Sequence, residues 1–245
     1  MPSPKETSDG YVRVSVSCLA ELIKSPDRSA DSIARLLRPF KYNKRGEGFG
    51  RSGYYQPTVT AIRRYHSNEN DGRVFDTAIA ELRNKMPKAK DKLEQVKLEK
   101  NIDAINAYRS IYGKRHFRVL TNHRIGYPVG KVVFTAQPDL WVLDEDAGIQ
   151  VLLKIGITKK QSSYVDILLT VIRKAAVASG YTDVRARNVV YLNVTTGKEM
   201  ICEGGLARFN RTFEFIARTI AKAWNNVTPP PEPPRAGTKT QAASA

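Results

Sequence analysis

Hydrophobic residues recur at helical spacing through most of the first 113 positions. Val74, Ala78 and Leu82 repeat every four residues, which places them along one side of a helix. A second apolar stripe runs from Leu93 to Ile111 through a strongly charged segment. This spacing predicts a mostly helical N-terminal half. The predicted helices occupy residues 57–66, 74–85 and 88–112, and two short helices occupy residues 14–40, with a break at 25–26. Pro39 is predicted to end the second of these two helices.

After Gly113 the pattern changes to short runs of β-branched and aromatic residues. Such runs are typical of strands, and the segment 144–148 between two of them has the composition of a hairpin turn. Helical spacing returns twice, and Gly180 ends the first of these helices. The predicted strands are 116–121, 131–135, 139–143, 149–155 and 188–194, and the predicted helices are 162–179 and 206–225.

The order of these elements predicts an α/β or α+β fold, in which helices flank a mixed β-sheet. Residues 1–10 are polar and residues 228–245 are rich in proline and small polar residues, so both segments are expected to be disordered. Residues 11–113 form the helical N-terminal region, which includes a basic, glycine-rich loop at 42–53. Residues 114–227 form the predicted core.

The charge of the chain favours a polyanionic partner. The chain has 245 residues, with 40 lysines and arginines against 24 aspartates and glutamates, for a formal net charge of +16. A basic surface attracts nucleic acid, and we expect DNA rather than RNA as the partner. Charge alone separates this interpretation poorly from a basic protein that has no such partner.

Several classes of protein are excluded by what the sequence lacks. It contains no run of about 18 uncharged apolar residues, so no membrane-spanning helix and no membrane partner are expected. The polar N-terminus has no apolar segment of a secretory signal. Cys18 and Cys202 lie far apart, which excludes a disulfide scaffold and a cysteine-held metal site. We therefore expect a cytoplasmic protein. Sequence motifs of P-loop, zincin and serine-hydrolase sites are also absent.

One short window carries a candidate catalytic site. Asp139 stands at the head of a predicted strand, and Lys154 lies in the next strand after a tight hairpin. Because the two strands of a hairpin are neighbours in the sheet, these side chains can meet at one edge. A carboxylate there could hold Mg²⁺ or Mn²⁺, and the lysine could neutralise charge that develops on a phosphodiester.

The sequence Pro138-Asp139, followed by the hairpin, Lys154, a helix and another strand, resembles the PD-(D/E)xK nuclease superfamily. It is most similar to the RecB-type exonuclease branch of that superfamily. The resemblance covers about residues 115–195. It implies a restriction-endonuclease-like mixed sheet flanked by helices, with a metal-binding aspartate on one strand and an E-x-K motif on the next.

Two further features extend the resemblance. Gln161 and Tyr164 at the start of the next helix resemble the Q-x-x-x-Y motif of RecB-like members, although the tyrosine falls one residue early. The β-rich run 188–194 resembles the strand that follows this helix. For an enzyme, the resemblance implies a metal-dependent phosphodiesterase, that is, a nuclease.

The acidic position of the E-x-K motif is occupied by Leu152, which cannot ligate a cation. A single aspartate with waters would hold Mg²⁺ or Mn²⁺ weakly, so the metal site is expected to be degenerate. Gln150 shares the face of Lys154 and is the third catalytic candidate, because it could supply an amide oxygen to a rearranged site. A relocated acid is the alternative. The candidates for such an acid are Asp166, Glu81 and Glu99.

Clusters of basic and aromatic residues predict a nucleic-acid surface. Cations neutralise phosphates while rings stack on bases; alternatively, the rings are core residues and the charges only solvate helix ends. His66 follows one such cluster, and we expect it to contact nucleic acid or solvent rather than a metal ion. The residues predicted to bind nucleic acid are Lys44, Arg45, Arg51, Arg63, Arg64, Arg115, Arg118, Lys159, Lys160, Gln161 and Tyr164.

Three functional hypotheses remain open at this point. The first is a nucleic-acid-binding protein with a PD-(D/E)xK-like fold and a degenerate metal site. The second is an active Mg²⁺- or Mn²⁺-dependent DNA nuclease with a relocated acid. The third is a non-catalytic subunit of a nucleoprotein complex, whose basic face meets a protein partner.

Overall fold

The computed structural model describes residues 10–24, 29–42, 55–120, 124–157, 162–202 and 206–228. Its α-helices are α1 (Val16–Lys24), α2 (Ala30–Tyr42), α3 (Gln56–Ser67), α4 (Arg73–Lys85), α5 (Lys92–Tyr112), α6 (Ser162–Ala178) and α7 (Leu206–Trp224). Its strands are β1 (Val12–Ser15), β2 (Phe117–Val119), β3 (Ile125–Val129), β4 (Val132–Ala136), β5 (Leu140–Asp144), β6 (Ile149–Gly156), β7 (Val189–Asn193) and β8 (Lys198–Ile201). The fold is α+β, as the sequence predicts.

Five of the strands form a mixed sheet in the order β2-β5-β6-β7-β8. The hairpin pair β5–β6 is antiparallel, and so are the pairs β2–β5 and β7–β8. Strands β6 and β7 are parallel, and α6 lies between them in the chain. This helix is the crossover that a parallel pair requires.

The other three strands form a smaller sheet in the order β1-β4-β3. The central strand β4 pairs in parallel with β1 and antiparallel with β3. Helix α6 packs against β3 and β4 of this sheet as well as against β7 of the larger one. The crossover helix is therefore buried between the two sheets, which explains why its apolar residues occupy more than one side.

Two hydrophobic clusters cover the two faces of the five-stranded sheet. Trp141, Leu152 and Tyr191 join the first cluster with α1, α2, α6, α7 and the smaller sheet. Leu140 and Leu153 join the second cluster with α3, α4 and α5. Because side chains alternate along a strand, neighbouring residues of β6 enter different clusters. This alternation puts α3 and α6 on opposite sides of the β5–β6 hairpin.

Local signals explain where the helices on the second face begin. Asp91 caps α5 by accepting a hydrogen bond from the backbone N–H of Glu94, and the Glu94 carboxylate accepts one from the N–H of Lys90. These reciprocal bonds satisfy N–H groups that have no partner inside the helix. Helix α3 has Pro57 in its first turn, where its missing N–H is not needed.

Three strands were not predicted from the sequence. Strand β3 contains Gly126 and Pro128, which disfavour a strand, but it lies at a sheet edge, where proline is tolerated. The predicted helical segment 14–40 instead begins with two residues of β1, because pairing with β4 extends that backbone. Strand β8 is exposed, with no apolar alternation, and exists through its pairing with β7.

The predicted end of the second helix at Pro39 is wrong, since α2 continues to Tyr42. A tertiary contact accounts for the extra turn. Lys41 is buried, and its ammonium group donates hydrogen bonds to the carbonyl oxygens of Trp224 and Val227, at 2.7 and 3.2 Å. These carbonyls lie at and just after the end of α7. The last turn of α2 thus binds the end of α7 through these hydrogen bonds.

The predicted segment boundary at 113 coincides with the end of α5, but β1 and α1 pack with the elements after it. Of the predicted disordered segments 1–10 and 228–245, residues 1–9 and 229–245 lie outside the described residues, and so does most of the glycine-rich loop. Among the described helices, none combines the length and apolar character that crossing a bilayer requires.

Candidate functional site

Asp139 and Lys154 form an ion pair where the β5–β6 hairpin opens. Leu140 pairs with Leu153 in the register of the two strands, so Asp139, one residue earlier, lies opposite Lys154, one residue later. The Lys154 Nζ atom is 2.7 Å from the Asp139 Oδ1 atom. The side chain of Lys154 is 28% exposed and that of Asp139 is 16% exposed, so the pair lies at an accessible edge of the sheet.

Both oxygens of the Asp139 carboxylate already have a donor. Oδ1 accepts from Lys154, and Oδ2 accepts from the backbone N–H of Ile155 at 2.7 Å. The backbone N–H of Asp139 donates to the Leu153 carbonyl at 2.9 Å. The ammonium group of Lys154 also lies 3.4 Å from the Gln137 carbonyl oxygen. This carboxylate therefore holds the open end of the hairpin together.

Arg63 reaches the same residue from α3. Ala61, Ile62 and Tyr65 are buried in the second cluster, which holds α3 against the sheet. The Nη2 atom of Arg63 donates to the backbone carbonyl oxygen of Asp139 at 2.9 Å. The Nε atom is buried and has no hydrogen-bond partner among the described residues. Two cationic side chains therefore flank one aspartate.

A tyrosine that the sequence analysis did not single out completes the site. Tyr191 on β7 lies opposite Lys154 in the register of the parallel pair. Its hydroxyl group occupies the space that a side chain at Gly156 would need. Burial raises the pKa of Tyr191 to about 12, with smaller contributions from Tyr164 and from the negative charge of Asp139. The hydroxyl is therefore protonated at neutral pH and can donate a hydrogen bond.

We call Arg63, Asp139, Lys154 and Tyr191 the rim site. Arg63 was predicted to bind nucleic acid, but its contact with Asp139 was not foreseen, because 76 residues separate them in the chain. The only sequence signal for Tyr191 was its place in the strand that follows the crossover helix. Tertiary packing, rather than a motif, brings these two residues to Asp139 and Lys154.

The acidic position of the resembled motif lies in the core. Leu152 is fully buried in the first cluster beside Trp141 and Val189. Mg²⁺ and Mn²⁺ sites are built from carboxylates and other oxygen ligands, and here both Asp139 oxygens are bonded within the chain. The described residues contain no group of three His, Cys, Asp or Glu side chains that could hold a metal ion. The described residues around Asp139 do not fit a divalent-metal site.

Gln150, the third predicted catalytic residue, is not brought to the rim site. It stands four residues before Lys154 on β6, which is ~13 Å along a strand. Its side-chain oxygen accepts a hydrogen bond from the indole N–H of Trp141 at 3.1 Å. Gln150 thus satisfies a buried indole at the other end of the hairpin.

The predicted relocated acids are distributed over three helices. Glu81 on α4 and Glu99 on α5 are exposed, and Asp166 lies half-buried on α6. None of them belongs to a metal-binding group within the described residues.

His66 lies in an aromatic cluster rather than at the surface. Its Nε2 atom lies 2.8 Å from the Tyr108 hydroxyl, its Nδ1 atom lies 2.6 Å from the Asn70 side-chain oxygen, and the ring packs against Phe117. The expected contact with nucleic acid or solvent is wrong, because His66 is only 3% exposed. Burial lowers its pKa to about 4, so the imidazole is neutral at physiological pH.

Two predicted nucleic-acid contacts are paired with the turn of the β5–β6 hairpin. The Nη1 atom of Arg115 lies 3.2 Å from the Oδ2 atom of Asp144, and the Nε atom of Arg118 lies 3.2 Å from the Oε1 atom of Glu145. These pairs reduce the local positive charge. Arg64 is exposed on α3, and Tyr164 lies in the first turn of α6 near Tyr191. The other predicted contacts, Lys44, Arg45, Arg51, Lys159, Lys160 and Gln161, lie outside the described residues.

In comparisons with known proteins, no family model matches the chain, and no curated protein matches it significantly. Its function is therefore inferred from the rim site and from the topology that builds it.

Proposed function

We propose that this chain is a nucleic-acid-binding protein with a PD-(D/E)xK-like fold and a degenerate metal site. DNA is the proposed partner. The observation that carries the proposal is the Asp139–Lys154 pair at the open end of the hairpin, with Leu152 buried on the same strand where a second acid would stand. This arrangement retains a cation suited to phosphate but offers no pair of carboxylates.

The topology supports the resemblance to this superfamily. Asp139 immediately precedes β5, and Lys154 lies on its antiparallel neighbour β6. Helix α6 follows, and the chain returns in β7, parallel to β6. Helices cover both faces of this mixed sheet. These are the parts that the resemblance implies, in the same order along the chain.

The charges around the site support binding rather than cleavage. A metal-dependent nuclease needs carboxylate oxygens that can bind the cation, whereas the Asp139 oxygens bond to Lys154 and to the Ile155 N–H. Arg63 adds a second cation beside them. With a net charge of +16, the chain is suited to long-range attraction of a polyanion.

The proposed setting is the cytoplasm. Cys18 and Cys202 are both buried and are not joined in a disulfide, which agrees with a reducing compartment. A protein partner within a nucleoprotein complex would be compatible with the same basic surface. Exposed ion pairs such as Arg118–Glu145 can exchange one partner for another, since they contribute little stability.

Binding and cleavage assays test the proposal together. Labelled DNA and RNA of matched sequence are titrated with the protein over a series of salt concentrations. We expect affinity to fall linearly with salt on a log–log plot, because cation–phosphate contacts release counterions. Salt-independent binding, or none, would favour the protein-partner hypothesis.

The same nucleic acids are incubated with Mg²⁺ or Mn²⁺, using the wild type and Asp139→Ala. We expect no cleavage above the level of Asp139→Ala. Metal-dependent cleavage that Asp139→Ala abolishes would overturn the degenerate-site proposal and establish the active nuclease.

A further inference from the structure

The rim site carries more positive than negative charge. Arg63 and Lys154 both contact Asp139, one at its backbone carbonyl and the other at its carboxylate. The single carboxylate is neutralised by Lys154, and its second oxygen is engaged by a backbone N–H. One cation therefore remains in excess at an accessible edge, which suits an anionic group better than a cation.

The donors at this edge are only partly used inside the protein. The Nε atom of Arg63 is buried and has no partner among the residues that the structure describes. A buried donor without an acceptor is costly, so an acceptor supplied by a ligand would relieve it. The guanidinium group presents several donors in one plane, which matches the oxygens of a phosphate.

Tyr191 adds a neutral donor to the same edge. Its ring extends from β7 over Gly156 on β6, and its titration responds to the charge of Asp139. Lys154, the residue opposite Tyr191 in the register, is 28% exposed at its side chain. Lys154 and Tyr191 thus lie on the first-cluster side of the hairpin end, and Arg63 reaches Asp139 from α3 on the second-cluster side.

We propose that the rim site binds one backbone phosphate of a nucleic-acid strand directly, through Arg63, Lys154 and Tyr191, without a divalent metal ion. This inference rests on the proposed function and specifies where and how a strand would be held. In this arrangement Asp139 and the phosphate compete for the ammonium group of Lys154. The negative charge of Asp139 repels the phosphate. In a metal-dependent site the same charge would instead bind a cation that holds the phosphate.

Removal of the Asp139 charge distinguishes direct phosphate binding from binding through a metal ion, because the two predict opposite changes in affinity. In Asp139→Asn the side-chain oxygen still accepts from the Ile155 N–H, but the negative charge is removed. Direct phosphate binding predicts tighter DNA binding, by about threefold to tenfold. Binding through a metal ion on Asp139 predicts weaker binding instead. Fluorescence anisotropy with a labelled DNA strand is measured in EDTA and in Mg²⁺, and we expect the same affinity in both.

The cations are tested by removing one donor group at a time. We expect Arg63→Gln and Lys154→Gln each to weaken DNA binding about tenfold, the contribution of a charge-assisted hydrogen bond. Each should also reduce the salt slope by about 0.7 to 0.9, the value for one phosphate. Arg63→Lys, which keeps the charge, should recover part of the loss.

Matched controls come from α7, which packs in the first cluster with the smaller sheet. Arg211 and Lys222 are exposed on this helix, and Arg211→Gln and Lys222→Gln remove the same charges there. They should leave the affinity within about twofold of the wild type. Thermal unfolding of every variant shows which ones remain folded, and Asp139→Asn is the variant least expected to perturb the backbone.

The outcomes separate this inference from the function on which it rests. DNA binding that is unchanged by Asp139→Asn, Arg63→Gln and Lys154→Gln overturns the rim site and leaves nucleic-acid binding elsewhere on the surface. Weaker binding in Asp139→Asn, or binding that EDTA abolishes, also overturns it.

Failure of the wild type to bind any nucleic acid overturns the proposed function. In that case inorganic phosphate is titrated, and the NMR signal of the Arg63 Nε–H is followed. A saturable shift that Lys154→Gln weakens supports a phosphate site for a free ligand, and no shift overturns the site as well.

Discussion

The hydroxyl end of Tyr191 on β7 lies directly over the backbone of Gly156 on β6. A Cβ atom built at Gly156 would overlap three atoms of the phenol group, all of them in or attached to a ring that cannot bend away. Tyr191 is 4% exposed and packs in the first cluster. The absence of a side chain at Gly156 is therefore what allows the tyrosine to reach the rim site.

Gly156→Ala should destabilise the protein and displace Tyr191. Overpacking of a buried contact destabilises by about 1–3 kcal/mol, which urea unfolding monitored by circular dichroism can measure. Gly72→Ala is the control, because its Cβ would meet only the flexible end of Arg109, at 3.4 Å. A Gly156→Ala variant as stable as Gly72→Ala would contradict this packing.

Lys41→Met should loosen the attachment of α7 to α2. The substitution keeps an apolar stem of similar length but leaves the carbonyls of Trp224 and Val227 without the ammonium donor. Removal of a buried, charged hydrogen-bond donor destabilises a protein by about 1–3 kcal/mol. Lys100→Met, at an exposed position of α5, should change the free energy of unfolding by less than about 0.5 kcal/mol. Equal effects of the two substitutions would show that Lys41 does not hold α7.

The buried imidazole of His66 should make the free energy of unfolding depend on pH. Its pKa is lowered from 6.5 to about 4 by burial, so between these values the unfolded chain binds a proton that the folded chain does not. Stability therefore falls as pH decreases from 6.5 towards 4. His66→Gln should reduce the slope of the free energy of unfolding against pH in this range, by up to about 1.4 kcal/mol per pH unit.

His116→Gln is the control for this pH dependence. A hydrogen bond with Asp146 raises the pKa of His116 above 6.5. Below that value the group is protonated in both folded and unfolded chains, so its removal should not alter the slope there. Chemical denaturation of the wild type and both variants at several pH values makes the comparison. An unchanged slope in His66→Gln would mean that other groups cause the loss of stability.

Leu152→Glu tests whether β6 is aligned correctly with the resembled motif. The new carboxylate would lie on the same face as Lys154, two residues away. Because Leu152 is fully buried, the substitution should destabilise the protein by about 3 kcal/mol or more. Mn²⁺ should restore part of that stability, because a ligand that binds only the folded state raises its free energy of unfolding.

Two matched variants separate metal binding from a general effect of charge. Leu152→Gln has the same shape without the charge, and Leu153→Glu places the charge on the opposite face. Neither should gain stability from Mn²⁺ in a thermal-shift assay. No Mn²⁺ effect on Leu152→Glu would count against the alignment of this strand with the E-x-K motif.

Elements with strong periodicity could be predicted from the sequence, and the others could not. Helix α4 was predicted within one residue of its observed start and at its observed end, because its apolar stripe and its length agree. Strand β3 was missed because Gly126 and Pro128 disfavour an extended run, and only pairing with β4 stabilises it. Helix α2 passes its predicted end at Pro39, because Lys41 hydrogen-bonds to Trp224, 183 residues away in the chain.

For the candidate site, the sequence by itself determined the nearness of Asp139 and Lys154, because a tight hairpin leaves two adjacent strands little choice of register. It also determined that Leu152 and Lys154 share one face of their strand, because side chains alternate along a strand.

Only the tertiary structure decided the rest of the rim site. Arg63 and Tyr191 reach Asp139 and Lys154 from another helix and another strand, and no local pattern records which distant segments pack together. The same reason explains His66, whose cationic neighbours along the chain suggested a surface position. Its aromatic neighbours in space bury it.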